Sequence, residues 1–208
     1  LYGLGDPNKA IDEFEKILIQ DPNFTLAHYD LAVAYRDLGM EDEAIQEYEK
    51  TIELQPNFPE ALSNLGSYYF RSGKVEQAKE MFEKAIKVYP NFIQGLSNLG
   101  AVLNKLGHPE EAIPHLKKTL ELNPEFAIAS FNLGNAQFAL NRFEEAQKSY
   151  ERSTELGLDF LSMHWKLYEI HLTRKAYKSA EKELQTILQM DPLNEEAQKK
   201  LSALPKTH

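Results

Sequence analysis

An all-α array of stacked, antiparallel helix pairs is what this sequence predicts, and three periodic features predict it. Prolines stand at Pro22, Pro56, Pro90, Pro124 and Pro192, separated by 34 residues or, across one gap, by 68. Leu158 occupies the place where the missing proline would fall. Phenylalanines keep the same interval at Phe24, Phe58, Phe92, Phe126 and Phe160. Within each period, apolar residues recur at three- and four-residue spacing in two runs of about 14 residues, the pattern of two amphipathic helices. A fixed period of this length builds a quasi-linear stack, in which each unit buries its apolar face only against its neighbours.

The third period shows the elements in order. Leu62, Leu65, Gly66 and Tyr69 mark a first helix, and Ala78, Phe82, Ala85 and Ile86 mark a second. Gly73 separates the two and Pro90 closes the unit, so each period reads as helix, tight turn, antiparallel helix, turn. Full units are predicted over 25–58, 59–92, 93–126, 127–160 and 161–194. Residues 1–24 supply only a second helix, with Gly5 in its turn and Ala10, Phe14 and Ile17 along it. A half unit at this end carries the expectation of natural sequence upstream. From 194 to 208 the chain reads as a closing helix and tail, with Glu195, Glu196, Gln198, Lys199 and Lys200 giving a wet outer side.

Two places break the pattern. Tyr168 stands where the other first helices carry a small residue, so an altered helix angle is expected at the junction of the fifth and sixth units. Pro114 falls within a second helix, where a mild bend is expected; Pro7, Pro59 and Pro109 lie at first-turn positions that tolerate proline.

Composition narrows the function classes. A net charge of −9 with no Lys/Arg-rich run argues against nucleic acid and anionic membranes as partners. There is no cysteine, which removes disulfides, thiolate zinc sites and a cysteine nucleophile together. No apolar run approaches the roughly 18 residues that span a bilayer, so direct membrane insertion is not expected. The compartment stays open, with the cytoplasm as default, because an upstream targeting segment would not be seen here. Asn23-Phe24-Thr25 matches a glycosylation acceptor and is read as a chance match.

At the level of individual residues the chain resembles the tetratricopeptide repeat family. The third unit carries Leu62, Leu65, Gly66, Tyr69, Ala78, Phe82, Ala85 and Pro90 at that family's positions 4, 7, 8, 11, 20, 24, 27 and 32. The fourth matches through Leu96, Leu99, Gly100, Ala112 and Pro124, and the second through Leu31, Ala32, Tyr35, Ala44, Tyr48 and Pro56. The resemblance covers nearly the whole chain and implies a right-handed α-solenoid. Small residues have a packing reason: Gly66 facing Ala78, and Gly100 facing Ala112, would let the paired helices approach closely.

Catalytic patterns are nearly absent. Gly3-Leu4-Gly5-Asp6-Pro7-Asn8 opens like a dinucleotide fingerprint, but Asn8 replaces its third glycine and no strand precedes it. His164 and His171 share a helix face but fall at core positions, as does His28, so packing rather than metal ligation is expected of them. No enzyme activity, metal or cofactor is expected.

The family resemblance implies that first-helix positions 2, 5, 6, 9, 12 and 13 line an inner groove. Position 6 is Asp30, Asn64, Asn98, Asn132 and then Lys166. A side-chain amide can pair with both polar groups of an extended backbone, so Asn64, Asn98 and Asn132 are candidate peptide-holding residues. The row is similar to the asparagine ladder of O-linked N-acetylglucosamine transferase repeat domains; the alternative is that it is inherited consensus. Tyr29, Phe131, Phe138 and Trp165, with Asn135 and Lys166, are candidates for setting specificity. The aromatic groups form either a contact site or a surface covered by the sixth unit and closing helix. The charged clamp by which some family members grip acidic chaperone tails is not matched, because Leu26, Tyr29, Val33, Asn64, Gln94 and Asn98 supply no cation. The expected function is therefore protein–protein interaction, an adaptor taking an extended or helical peptide segment. Self-assembly into a homo-oligomer, or service as the recognition arm of a larger enzyme, are the alternatives.

Overall fold

The structure, a computed structural model, describes residues 6–205. Among the described residues there are helices and turns but no strand. The chain divides into two compact units, 1–106 and 107–208. The first contains α1 (Pro7–Gln20), α2 (Thr25–Asp37), α3 (Glu41–Leu54), α4 (Pro59–Arg71), α5 (Val75–Val88) and α6 (Ile93–Leu106). The second contains α7 (Pro109–Leu122), α8 (Ala127–Ala139), α9 (Phe143–Glu155), α10 (Leu161–Thr173), α11 (Tyr177–Met190) and α12 (Glu195–Ala203). The turn expected at Gly5 lies outside the described residues.

What ends each first helix is one residue in the left-handed region. Gly39, Gly73 and Gly107 take φ of 74°, 78° and 80°. There the chain reverses, as Gly39 N–H donates to Arg36 O at 3.0 Å and Met40 N–H to Tyr35 O at 2.9 Å. Glycine adopts this conformation without a Cβ clash. The two later turns keep the geometry without it: Asn141 has φ 58° and Lys175 has φ 57°. Asparagine tolerates the region, whereas lysine is strained there.

Helix starts follow their local chemistry. Pro7, Pro59 and Pro109 each open a helix, where the absent N–H is not missed. Asn194 caps α12 by accepting from Ala197 N–H at 3.0 Å. Pro114 lies inside α7, which is assigned as one helix from Pro109 to Leu122.

Packing within a pair puts a small residue of the first helix under an aromatic ring of the second. Ala32 shares a buried cluster with Tyr48. A Cβ built on Gly66 would lie 2.9 Å from Phe82 Cε1 and 3.1 Å from Met81 Cβ. The residues that crowd Gly66 are thus Phe82 and Met81, about one turn beyond the expected Ala78, because the Phe82 ring lies across the glycine. On Gly134 a Cβ would come within 2.5 Å of Tyr150 Cε1, an overlap no side chain can accept without movement. The sixth repeat inverts the arrangement. Tyr168 on α10 is buried in a cluster with Ala180, Leu184 and Ile187 of α11 and Ala197 of α12. The bulk has moved from the second helix, now Leu184, to the first. The pair is bulkier as a result, since Leu184 gives back less volume than Tyr168 adds over a glycine or alanine.

Candidate interaction surface

Inside each unit the first helices carry side chains that pair packing leaves partly exposed. In the first unit these helices are α2, α4 and α6; in the second they are α8 and α10, followed by α12. The candidate residues stand on them: Tyr29 on α2, Asn64 on α4, Asn98 on α6, Phe131, Asn132, Asn135 and Phe138 on α8, Trp165 and Lys166 on α10. All nine are half-buried.

In the first unit, Tyr29 is flanked from two sides. Its ring stacks on Phe58 with centroids 4.7 Å apart, and its hydroxyl is hydrogen-bonded by Asn64. Burial, reinforced by Glu60, pushes the Tyr29 phenol up. Asn98 gives only a long hydrogen bond, Nδ2 to Ser67 Oγ at 3.5 Å.

The second unit holds a tighter polar knot. Lys166 Nζ donates to Asn135 Oδ1 at 2.6 Å and lies 5.8 Å from the centre of the Phe138 ring. Tyr150 donates its hydroxyl to the same Asn135 oxygen at 3.0 Å. Burial pulls the Lys166 ammonium below the usual lysine value, with Glu169 acting in the opposite direction.

The aromatic candidates do not form one cluster. Phe131 sits edge-on to Phe160 at 4.8 Å and, like Phe138, packs on the cluster of Tyr150, Met163 and Leu167. Trp165 meets Tyr168 edge-on at 5.9 Å and joins the α10–α11–α12 cluster. Two pairings are the same step of the repeat: Tyr29 with Phe58 and Phe131 with Phe160 are each 29 residues apart. In both, a ring of the 34-residue phenylalanine row meets the residue at position 5 of its own unit.

The histidines are engaged by acids. His28 Nδ1 lies 2.5 Å from Glu47 Oε2, and its Nε2 3.0 Å from the Pro22 carbonyl. His164 lies between Glu183 and Asp159, at 2.6 Å from each. The bond to Glu183, then that to Asp159, hold its pKa above the ordinary histidine value against the effect of burial. Among the described residues no group of three His, Asp or Glu side chains is arranged to hold a metal ion, and no helix is long and apolar enough to cross a membrane.

Repeat-family comparisons run along the chain. Tetratricopeptide-repeat families match at residues 1–50, 34–73, 59–92, 92–158 and 131–195. The chain is a tetratricopeptide-repeat protein. No curated protein matches it by sequence. Among solved structures, Pseudomonas aeruginosa PilF is similar over 96% of this tetratricopeptide-repeat chain and 90% of its own, with a TM-score of 0.80 at 21% identity. YrrB, described as a repeat protein with an unusual peptide-binding site, is similar over 91% and 97%, with a TM-score of 0.77 at 22% identity. MamA is similar over 74% of this chain and 90% of its own, with a TM-score of 0.66 at 28% identity. These likenesses agree on the fold class, an all-α solenoid of tetratricopeptide repeats.

Proposed function

We propose that this tetratricopeptide-repeat chain is a protein-interaction adaptor that holds a peptide segment of a partner on the partly exposed sides of its first helices. The observation that carries the reading is a row of half-buried amides at one repeat position. Asn64 and Asn98 stand on it in the first unit and Asn132 in the second. A core residue at these places would be fully buried and apolar; a purely solvated one would not recur as a single residue type at 34-residue intervals. Each amide offers donors and an acceptor to a peptide group, whatever side chains the peptide carries. Selectivity then falls to Tyr29 in the first unit and to Asn135, Lys166, Phe131, Phe138 and Trp165 in the second.

The test is an affinity capture from the native cell extract with the intact chain and with the Asn98→Ala/Asn132→Ala double variant. The partner captured by the intact chain is expected to be lost, while the thermal unfolding curve stays nearly unchanged. A double variant that unfolds would assign the amides to structure instead.

A further inference from the structure

Apart from the amide row, the first unit holds a cavity of about 370 Å³ at the heads of α2 and α4. Its walls are apolar: Phe14 from α1, Phe24 and Leu26 around the start of α2, Tyr29 further along it, and Phe58 at the start of α4. Two carboxylates, Asp30 and Glu60, complete the lining together with Ala27, and none of the lining residues is basic.

Folding does not account for this composition. Leu26 is 53% exposed, and Phe24 is 38% exposed. The place of Leu26 is filled in the other full units by Glu60, Gln94, Ile128 and Ser162, so the helix does not require a leucine there. The carboxyl of Asp30 is equally out of pattern, standing where Asn64, Asn98 and Asn132 stand in later units. Burial holds it above the usual carboxylate range. Among the described residues it takes part in no ion pair, while on the same helix Arg36 and His28 are paired with Asp37 and Glu47. A carboxylate partly withdrawn from water gains more from an incoming cation than a fully solvated one does.

We infer that this cavity docks a partner peptide that inserts one aliphatic or aromatic side chain among Leu26, Tyr29 and Phe58 and lays an adjacent arginine or lysine against Asp30 and Glu60. The inference rests on the interaction-module reading and gives the partner's chemistry at this end of the first unit. The apolar side chain removes exposed Leu26 and Phe24 surface from water. The basic side chain meets two carboxylates with no competing cation in the wall. An acidic segment would meet like charge, and a purely apolar one would withdraw Asp30 further from water while bringing it no cation.

Fluorescence anisotropy with short dye-labelled peptides tests it. The probe carries leucine between two arginines in a glycine–serine background; its relatives replace leucine by serine, or both arginines by glutamate. The leucine–arginine probe is expected to bind, and each relative to bind at least about tenfold more weakly. Leu26→Ser and Asp30→Asn, both at partly exposed places, are expected to weaken the probe about tenfold with unchanged thermal unfolding. Glu110→Gln on α7 removes as much charge elsewhere as Asp30→Asn and should leave the affinity intact. Equal weakening by the α7 variant would reduce the effect to the overall charge of −9 and overturn the proposal. So would undiminished binding of the glutamate peptide, or no binding of the probe. Concentration-dependent self-association abolished by Leu26→Ser would assign the cavity to a second copy and also overturn it. None of these results touches the Asn98→Ala/Asn132→Ala capture, so failure here and failure of the adaptor reading remain distinguishable.

Discussion

Lys166 Nζ and Asn135 Oδ1 are 2.6 Å apart, joining α10 to α8. The contact repeats a step seen in the first unit, where Asn98 reaches Ser67: both pairs are 31 residues apart. The residue at position 6 of one first helix therefore leans on position 9 of the first helix before it. In the second unit that step is strengthened by charge, and Asn135 is committed to it.

Asn135 serves two donors, Lys166 and the Tyr150 hydroxyl, in partly buried surroundings. Asn135→Ala leaves both without their acceptor and is expected to cost about 2 kcal/mol in urea unfolding. Asn98→Ala, which removes only a 3.5 Å bond, should cost a few tenths of that. Equal losses would mean that Asn135 holds no special place.

Tyr48 and Tyr150 occupy the same repeat position, and both are fully buried. Tyr150 donates to Asn135, whereas the Tyr48 hydroxyl has no hydrogen-bond partner, Val33 being the residue at the place corresponding to Asn135. Burial pushes both phenols up. Tyr48→Phe is expected to stabilise the protein by about 1 kcal/mol and Tyr150→Phe to destabilise it by a similar amount. Denaturant midpoints moving in the same direction would refute the contrast.

Stability should depend on pH through His164. Its folded pKa is raised, chiefly by Glu183 and then by Asp159. The sign follows: the contribution is complete below the ordinary histidine value, about 6.5, and is lost as pH rises through the folded value. The urea midpoint is expected to fall from mildly acidic to mildly alkaline pH, and His164→Gln to flatten that fall. His171 acts oppositely, since burial lowers its pKa and its contribution is lost as pH falls. A slope unchanged in His164→Gln would place the dependence elsewhere.

Lys175 holds φ 57° at the turn where the first three such turns carry glycine. Lys175→Gly is expected to raise stability by about 1 kcal/mol by relieving that strain, while Lys175→Ala, which keeps the Cβ, should change little. Thermal unfolding of the two variants side by side checks this.

The helices were legible because period and amphipathicity are one-dimensional properties: Leu62, Leu65 and Gly66 announce a first helix, Ala78 and Phe82 a second. The candidate surface was only partly legible. Repeat position, read through the family resemblance, tells which residues the pair does not need, and it proposed Asn98, Tyr29 and Lys166. It does not tell which of them another helix engages, so Phe131 against Phe160 and Asn135 under Tyr150 emerged only from the fold. The cavity beside Asp30 also escaped, because its lining comes from three helices and two turns.

The sequence by itself determined the kind of architecture, since a 34-residue recurrence of Pro, Phe and small residues allows few ways to bury an apolar face. Tertiary structure decided how the exceptions are accommodated. Tyr168 is seated among Ala180, Leu184, Ile187 and Ala197, Lys166 is held because Asn135 lies within reach, and Asp30 stands beside open apolar surface. Those outcomes depend on distances between side chains on different helices, which packing fixes and linear order does not.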